Sequence, residues 1–463
     1  MVVDRSENSE ERRTNRAFYA LTLVVVLGFL VSFLLPRPAL RKYPNRIPIH
    51  FWHGAANKNQ VVLERICDRF NESQDKYEVI PLSVRWQSRT VKFILATTGG
   101  DPPDILIEGF PIIPKWAESG VLMPLDKLMT PAEKKTFQTD WYPITRKFGM
   151  YKGKVYGLVT SENADCLYYR IDDLKAAGLD PNHFPNSMEE LVKWGDKLNQ
   201  RDKNDNLTRL GYLPQGLLSY SVLFGKGFYD WDKGKVLLNT PENLRALTFL
   251  KAQVDKIGYR NYLRFLDGLK GGASESSSTG DNWPFMTGQY VITGDGSGRV
   301  RDLKEFAPNL KYGCALIPPP VGGRRYASAC AGAFILIPAN CRQVEGAWKF
   351  AKFFSGLENP ERAAEFAAWS ASLPPCRAMW HAPVYQAFLK EYPQQKIFER
   401  MLESENFEPL PPVPYQLKLS DDISKYDELA MRGELTPAQA LKGLEASMAN
   451  ELRKRKELGY RDD

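Results

Sequence analysis

The chain has 463 residues, of which 43% are hydrophobic and 25% charged, the composition of a globular protein with one to three domains. Residues 1–46 contain eight Arg and Lys and four acidic residues, so they contribute +4 to the net charge of +7. The rest of the chain carries +3. Because nucleic-acid-binding surfaces need clustered positive charge, this near-neutral remainder argues against a nucleic-acid partner.

A single uncharged apolar run, residues 17–35, is the first predicted element. It is long enough to span a bilayer and longer than the apolar part of most signal peptides. Arg37 stands where a cleavage site before Ala39 would need a small residue. We therefore expect an uncleaved transmembrane signal anchor in the cytoplasmic membrane. Residues 1–16 are then a cytoplasmic tail and the globular part is extracytoplasmic; cleavage, with release to the periplasm, is the alternative.

After a short stiff linker, residues 36–46, strand and helix patterns alternate. Apolar and polar residues alternate in the first two strand segments and the third is mostly apolar, whereas the first helix segment carries apolar residues on one face. This β-α-β-α-β order indicates an α/β fold with a parallel sheet. The predicted elements are strand 47–52, helix 59–70, strand 77–84, helix 91–98 and strand 104–108.

Helix-start signals recur later in the chain. Segments 187–190 and 436–439 each have the pattern of a capping box, and Thr240 followed by proline predicts a third helix start. Strands are predicted at 311–316 and 333–337, the second of them followed by a helix. The α/β pattern therefore continues to the end of the chain.

Motifs for covalent chemistry and metal binding are missing from the sequence. There is no phosphate loop, no G-x-S-x-G elbow, no H-E-x-x-H and no C-x-x-C, and only four His occur. We therefore expect no cofactor and no metal, and a protein that is not an enzyme. A pair of pocket carboxylates, as in a carbohydrate-active enzyme, stays open as an alternative.

Candidate ligand residues lie where the predicted strands end. In open α/β sheets, ligands bind beyond the carboxyl ends of the strands. The first strand ends at Trp52 and His53, and the following helix directs its N-terminus to the same place. A glycine cluster, residues 294–298, follows another strand and precedes Arg299. We expect His53 to make a hydrogen bond to the ligand and not to bind a metal.

Several segments resemble one known family in order and spacing. Gly99-Gly-Asp-Pro-Pro-Asp104 ends a helix and begins a strand, and Tyr151-Lys-Gly-Lys-Val-Tyr-Gly157 precedes Leu167-Tyr-Tyr-Arg170 at a crossover. With segments 116–126, 177–191, 285–292 and 312–318, they resemble the extracytoplasmic solute-binding proteins of sugar-importing ABC transporters. This family, extracellular solute-binding protein family 1, includes the maltose- and glycerol-phosphate-binding proteins, and the resemblance covers about residues 47–455.

The resemblance implies a two-lobed fold of the periplasmic-binding-protein type (type II), with a hinge and a central ligand cleft. The first lobe is expected to comprise residues 47–159 and 312–365, and the second lobe residues 160–311 and 366–463. Ligand binding closes such lobes by a hinge motion. The implied partners are a solute, a separate ABC permease and, through residues 17–35, the membrane.

The implied function is capture of a carbohydrate or sugar-like solute for delivery to the permease. A ligand-sensing domain for a membrane signalling partner is the alternative, with a carbohydrate-active enzyme as a further one. Gly298 stands near the position of a stacking Trp in the family, so either Trp283, Tyr229 or Trp369 replaces it or the ligand is smaller. The candidate ligand residues are Trp52, His53, Asn57, Lys58, Trp86, Gln87, Glu108, Phe110, Glu162, Asn163, Tyr220, Trp283, Asp295, Arg299 and Trp369.

Overall fold

A computed structural model describes Thr22 and residues 41–109, 112–212, 216–270 and 283–460. The predicted cytoplasmic tail, signal anchor and first part of the linker lie outside the described residues. No helix within the described ranges is both long and apolar enough to cross a membrane. From Pro48 onward the described residues belong to one compact unit, and Ile47 and the described residues before it are separate from it.

The compact unit begins with the predicted alternation of strands and helices. Strands β1 and β3 run parallel, with Phe51 opposite Ile105, as the β-α-β-α-β pattern predicts. On the first helix, Leu63, Ile66 and Phe70 are buried, which confirms the predicted apolar face. These elements are β1 (Ile47–His53), α1 (Asn57–Glu72), β2 (Tyr77–Ser83), α2 (Trp86–Thr98) and β3 (Ile105–Glu108).

The middle of the chain is built around one long strand, β6. Before it come α3 (Ile113–Glu118), α4 (Pro131–Thr139), α5 (Pro143–Phe148), β4 (Met150–Tyr151) and β5 (Lys154–Val155). The strand itself is β6 (Gly157–Arg170), and α6 (Ile171–Ala176), α7 (Met188–Leu198), β7 (Gln200–Arg201), β8 (Leu207–Tyr212) and α8 (Leu217–Phe224) follow. Then come β9 (Tyr229–Asp230), β10 (Lys235–Val236), α9 (Pro241–Ile257) and α10 (Tyr259–Lys270).

The last third of the chain is mostly helical. It contains α11 (Pro284–Thr287), β11 (Tyr290–Gly296), α12 (Arg299–Phe306), β12 (Tyr312–Ala315), β13 (Ser328–Leu336), α13 (Val344–Ser355) and α14 (Pro360–Ser370). It ends with α15 (Arg377–His381), α16 (Pro383–Glu391), α17 (Phe398–Leu402), β14 (Phe407–Glu408), α18 (Gln416–Met431) and α19 (Pro437–Glu457). Short 3₁₀ helices occupy Leu125–Lys127 and Pro393–Ile397.

The predicted helix starts are present. Ser187 Oγ accepts a hydrogen bond from the Glu190 backbone N–H, and Thr240 caps α9 in the same way through Asn243. Thr436 forms the complete capping box with Gln439 at the start of α19. Because such caps satisfy backbone N–H groups that lack helical partners, these boundaries are fixed by local sequence.

Ten of the described strands form one mixed sheet in the order β2-β1-β3-β13-β6-β11-β8-β7, with β12 beside β6 and β14 beside β13. The other four form two antiparallel hairpins, β4–β5 and β9–β10. The sheet is not purely parallel, as the opening pattern alone would suggest, because β13 runs antiparallel to both β3 and β6. Strand β6 is shared by two parts of the sheet. Its first half, from Gly157, pairs with β13, and its second half, to Arg170, pairs with β11 and β12.

Two clusters of buried apolar side chains lie against this sheet. In the first, the ring of Phe350 packs edge-on against Phe51 and Phe70, with centroids 5.3 and 5.2 Å apart. The second contains Leu191 of α7 and Leu444 of α19. Aromatic and aliphatic burial of this kind is the main stabilising contribution in both clusters.

Candidate functional site

The loops after β1 and β3, the first half of β6 and the segment after α14 meet around one cavity of about 330 Å³. This is the carboxyl edge of the parallel pair β1 and β3, where ligands of α/β sheets bind. Helices α1 and α14 give the cavity an apolar wall through Val62, Leu63, Ile66 and Phe366. Its polar lining includes Asn59, Arg89, Thr160, Ser161, Ser370 and Ser372.

A buried ion pair holds the centre of this region. Arg89 Nε and Nη2 donate to Glu108 Oε2 and Oε1 at 3.0 and 2.7 Å, and the two side chains are 2% and 3% exposed. The Gly109 backbone N–H donates to the same carboxylate at 3.0 Å. Glu108, a predicted ligand contact, is therefore held by Arg89, and Arg89 lines the cavity.

Gly54 makes room for this guanidinium. A Cβ atom at position 54 would lie 1.6 Å from Arg89 Nη1 and 2.8 Å from its Cζ. No side chain fits there while Arg89 keeps its place, because both distances are far below van der Waals contact. The loop after β1 and the side chain from α2 are therefore fitted to each other.

His53 is buried at the end of β1, with 1% of its surface exposed. Burial lowers the pKa of its imidazole to about 4, and the charge of Arg89 acts in the same direction, against an opposing effect of Glu64. Its Nδ1 is buried and has no hydrogen-bond partner among the described residues. At neutral pH the ring is therefore uncharged, in keeping with the predicted hydrogen-bonding role.

This lowered pKa predicts a pH dependence of stability. Between pH 6.5 and about 4 the unfolded chain binds a proton at His53 that the folded protein does not, so the free energy of unfolding decreases as the pH falls through this window. We expect wild type to lose stability relative to His53→Gln over this range, measured by urea unfolding at several pH values. Parallel pH profiles of the two proteins would contradict the assignment.

Lys58 connects the start of α1 to α12. Its ammonium group forms an ion pair with Glu305 and lies 5.5 Å from the centroid of the Phe306 ring. The charge of Lys58 is therefore compensated by Glu305, a residue 247 positions away. Trp52, also predicted to bind ligand, is half-buried in β1 and packs against the first apolar cluster.

A second group of predicted residues surrounds the end of β11. Arg299 pairs with Asp295 and Asp302 at 2.9 and 3.3 Å, and its guanidinium lies 4.8 Å from the centroid of the Trp283 ring. Trp283 is only 7% exposed and packs in the first cluster. Burial, together with the charge of Asp295, raises the pKa of Asp165 on neighbouring β6 to about 6.

Other predicted residues occupy structural positions. The backbone groups of Glu162 exchange hydrogen bonds with Leu373 at 3.1 Å, which ties β6 to the segment after α14. Tyr220 is buried against Phe249 in the second cluster, with ring centroids 6.2 Å apart. Trp369 is half-buried, and the Arg65 guanidinium lies 3.7 Å from its ring centroid.

His53, Glu108, Glu162 and Trp369 lie on or at the ends of the elements around the cavity, whereas Tyr220 packs in the second cluster. The side chains of Asn57, Trp86, Gln87 and Asn163, and all of Phe110, lie outside the described residues.

Sequence reasoning missed residues that line the cavity. Arg89 could have been found from its place one turn after Trp86, at the helix end that faces the strands. The missed residues are Gly54, Arg89, Ser161, Ser370 and Ser372.

A mixed sheet whose halves share one strand, with a cavity of apolar and polar lining at the strand ends, is the arrangement of two-lobed binding proteins. The family model described as bacterial extracellular solute-binding protein matches residues 65–393. The chain therefore belongs to this family. The resemblance found in the sequence is confirmed, and so is the prediction of a binding protein rather than an enzyme, because the relatives are solute-binding proteins.

Relatives and solved structures agree with this membership. The sn-glycerol-3-phosphate-binding periplasmic protein UgpB of Escherichia coli O1:K1 is 24% identical over 418 residues, covering 85% of this chain and 90% of UgpB. UgpB of Salmonella typhimurium LT2 is 23% identical over 419 residues, with the same two shares covered.

Among structures, CpMnBP1 with mannotriose bound has a TM-score of 0.74 and 24% identity, covering 87% of this chain and 99% of CpMnBP1. The sugar-binding protein MalE from Xanthomonas citri has a TM-score of 0.70 and 20% identity, covering 90% of this chain and all of MalE (100%). These structures confirm the two-lobed, periplasmic-binding-protein-like α/β fold.

Proposed function

We propose that the protein is the solute-binding component of an ABC importer and binds a neutral carbohydrate in the cleft at the carboxyl ends of β1 and β3. The observation that carries this proposal is the cavity of about 330 Å³ at the meeting point of four chain segments. Its volume is near the lower end of the roughly 300–1,000 Å³ found for small-molecule sites, which favours a small saccharide.

Charge compensation supports a neutral ligand over a phosphorylated one. Arg89 is paired with Glu108, Lys58 with Glu305, and Arg299 with Asp295 and Asp302. A phosphate would have to compete with a carboxylate for each of these three cations. The serine hydroxyls of the lining, in contrast, suit the hydroxyl groups of a sugar. This favours a saccharide such as the mannotriose bound to CpMnBP1 over the phosphate ester in the name of UgpB.

The remaining features of the proposal concern assembly. The lobes are proposed as residues 47–159 with 312–365 and residues 160–311 with 366–463, a division that falls within β6. We place the protein on the extracytoplasmic face of the cytoplasmic membrane, held by the anchor 17–35 and docked to permease subunits. The periplasmic location of the relatives supports this side of the membrane.

The proposal is tested by calorimetry of the purified full-length chain in detergent. Mannobiose, mannotriose, maltose and sn-glycerol 3-phosphate are titrated separately, and the bound ligand is recovered and analysed. We expect a neutral saccharide to bind and to be recovered intact. Binding of the phosphate ester alone would overturn the neutral class, and recovery of a cleaved saccharide would overturn the binding-protein function.

Ser161 provides a variant test of the cleft. Its side chain lies on β6 at the cavity wall, so Ser161→Ala removes a hydroxyl group that can bond to a sugar. We expect a loss of binding free energy of about 0.5–1.5 kcal/mol, the usual contribution of one neutral hydrogen bond. Ser424→Ala, on the exposed side of α18, is the matched control and should bind as wild type does. Equal affinities of both variants and wild type would place the ligand elsewhere.

A further inference from the structure

A second cavity, of about 690 Å³, shares no lining residue with the cleft cavity. One part of its lining comes from the end of α5 and the β4–β5 hairpin, and another from the β9–β10 hairpin. Segment 412–415 and Leu452 of α19 complete it. We call this cavity the aromatic groove, because Tyr151, Tyr229, Trp231 and Tyr415 line it. Tyr229, one of the expected cleft aromatics, therefore lies here.

The aromatic groove is basic. Lys147, Lys152 and Lys235 line it, and all of its lining residues belong to the described chain and include no carboxylate. Lys152 and Lys235 are exposed to solvent. Lys147 reaches Glu405, outside the lining, at 3.3 Å. The groove thus presents three lysines, one of which, Lys147, is ion-paired, whereas Arg89, the cation that lines the cleft cavity, is paired with the buried Glu108.

Trp231 is placed to contact a ligand in the aromatic groove. Its ring stands edge-on to Tyr229 with centroids 5.0 Å apart, and Lys147 Nζ lies 5.3 Å from its centroid. The indole Nε1–H is buried and has no acceptor within the described part of the chain. Because this nitrogen is buried, the rest of the indole ring is the part of Trp231 that a ligand in the groove can contact.

We propose that the aromatic groove is a second binding site, for an acidic oligosaccharide that carries uronate groups. Sugar rings can pack their apolar faces on Tyr and Trp, as aromatic rings bury apolar surface well. Uronate carboxylates form charge-assisted hydrogen bonds with the lysines. The volume of the groove lies within the range of small-molecule sites and exceeds that of the cleft cavity.

The test uses the full-length chain and trigalacturonate as the acidic probe, with maltotriose as its neutral counterpart. Trp231→Ala is expected to weaken trigalacturonate binding about tenfold or more, as loss of a central aromatic contact does. Lys235→Gln should weaken it and reduce its salt dependence, whereas Lys233→Gln, an equal charge change outside the groove lining, should not. The cleft variant Ser161→Ala should leave trigalacturonate binding unchanged.

Three outcomes would overturn the proposal. One is failure of trigalacturonate to bind wild type. Another is binding that survives Trp231→Ala and Lys235→Gln but is lost in Ser161→Ala, which would locate the acid in the cleft. The third is maltotriose binding with equal affinity and equal sensitivity to Trp231→Ala, which would reject the acidic class. Circular dichroism and unfolding of each variant separate lost binding from lost folding.

Discussion

Glu108→Ala is expected to decrease the free energy of unfolding by about 3–5 kcal/mol, because removing one member of a buried ion pair leaves the other charge buried without its partner. Arg89 donates two hydrogen bonds to this carboxylate, and both side chains are almost completely buried. The Gly109 N–H would lose its acceptor as well. Urea unfolding near pH 7 measures the effect.

The control is an exposed ion pair between a lysine and an aspartate. Lys256 Nζ lies 3.0 Å from Asp196 Oδ2, but about half of each side chain is exposed, so Asp196→Ala should change stability by less than about 1 kcal/mol. The double variant Arg89→Met/Glu108→Leu should recover much of the loss, since it removes both buried charges together. A Glu108→Ala variant as stable as the Asp196→Ala control would show that the pair contributes little.

Gly54→Ala is expected to decrease stability by about 1–3 kcal/mol, the usual cost of forcing extra volume into a packed site. The added Cβ would lie 1.6 Å from Arg89 Nη1. The end of an arginine side chain is normally free to move, but here Glu108 holds it and it is buried. Either the ion pair or the loop after β1 must shift, so saccharide affinity should fall as well.

Gly268→Ala is the matched control for this substitution. Gly268 lies in α10, and a Cβ atom there meets nothing within 4 Å. Alanine in a helix is favoured over glycine by roughly 0.5–1 kcal/mol, so this variant should be slightly more stable than wild type. Calorimetric melting and saccharide titration of both variants make the comparison. Retained stability and affinity in Gly54→Ala would mean that Arg89 can move freely.

Local signals in the sequence were sufficient for much of the fold. The alternation in segment 47–52 and the apolar run in segment 104–108 predicted strands that the structure pairs in parallel, and the Thr436 capping box predicted the start of α19. These features depend on residues close together in the chain. The full extent of β6 was not predicted, because its 14 residues pair with four other segments that are distant in sequence.

The ligand site was less accessible to sequence reasoning. Residue type shows that Tyr220 and Trp283 can stack on a sugar, but their burial depends on packing by distant elements. The roles of Glu108 and Lys58 depend likewise on Arg89 and on Glu305, whose positions relative to them only the folded chain defines. The position of a loop after a strand is therefore predictable, whereas the free or paired state of its charges is not.

Sharing of β6 also affects how the protein can be divided. From Gly157 to Ala164 its backbone hydrogen bonds hold β13, and from Asp165 to Arg170 they hold β11 and β12. A cut at any residue of this strand would leave one sheet with an open edge, which exposes unpaired backbone groups and invites aggregation. The two halves of the sheet are thus not modules that can be expressed or exchanged separately at this crossing, and evolution by swapping one half would have to retain the whole strand.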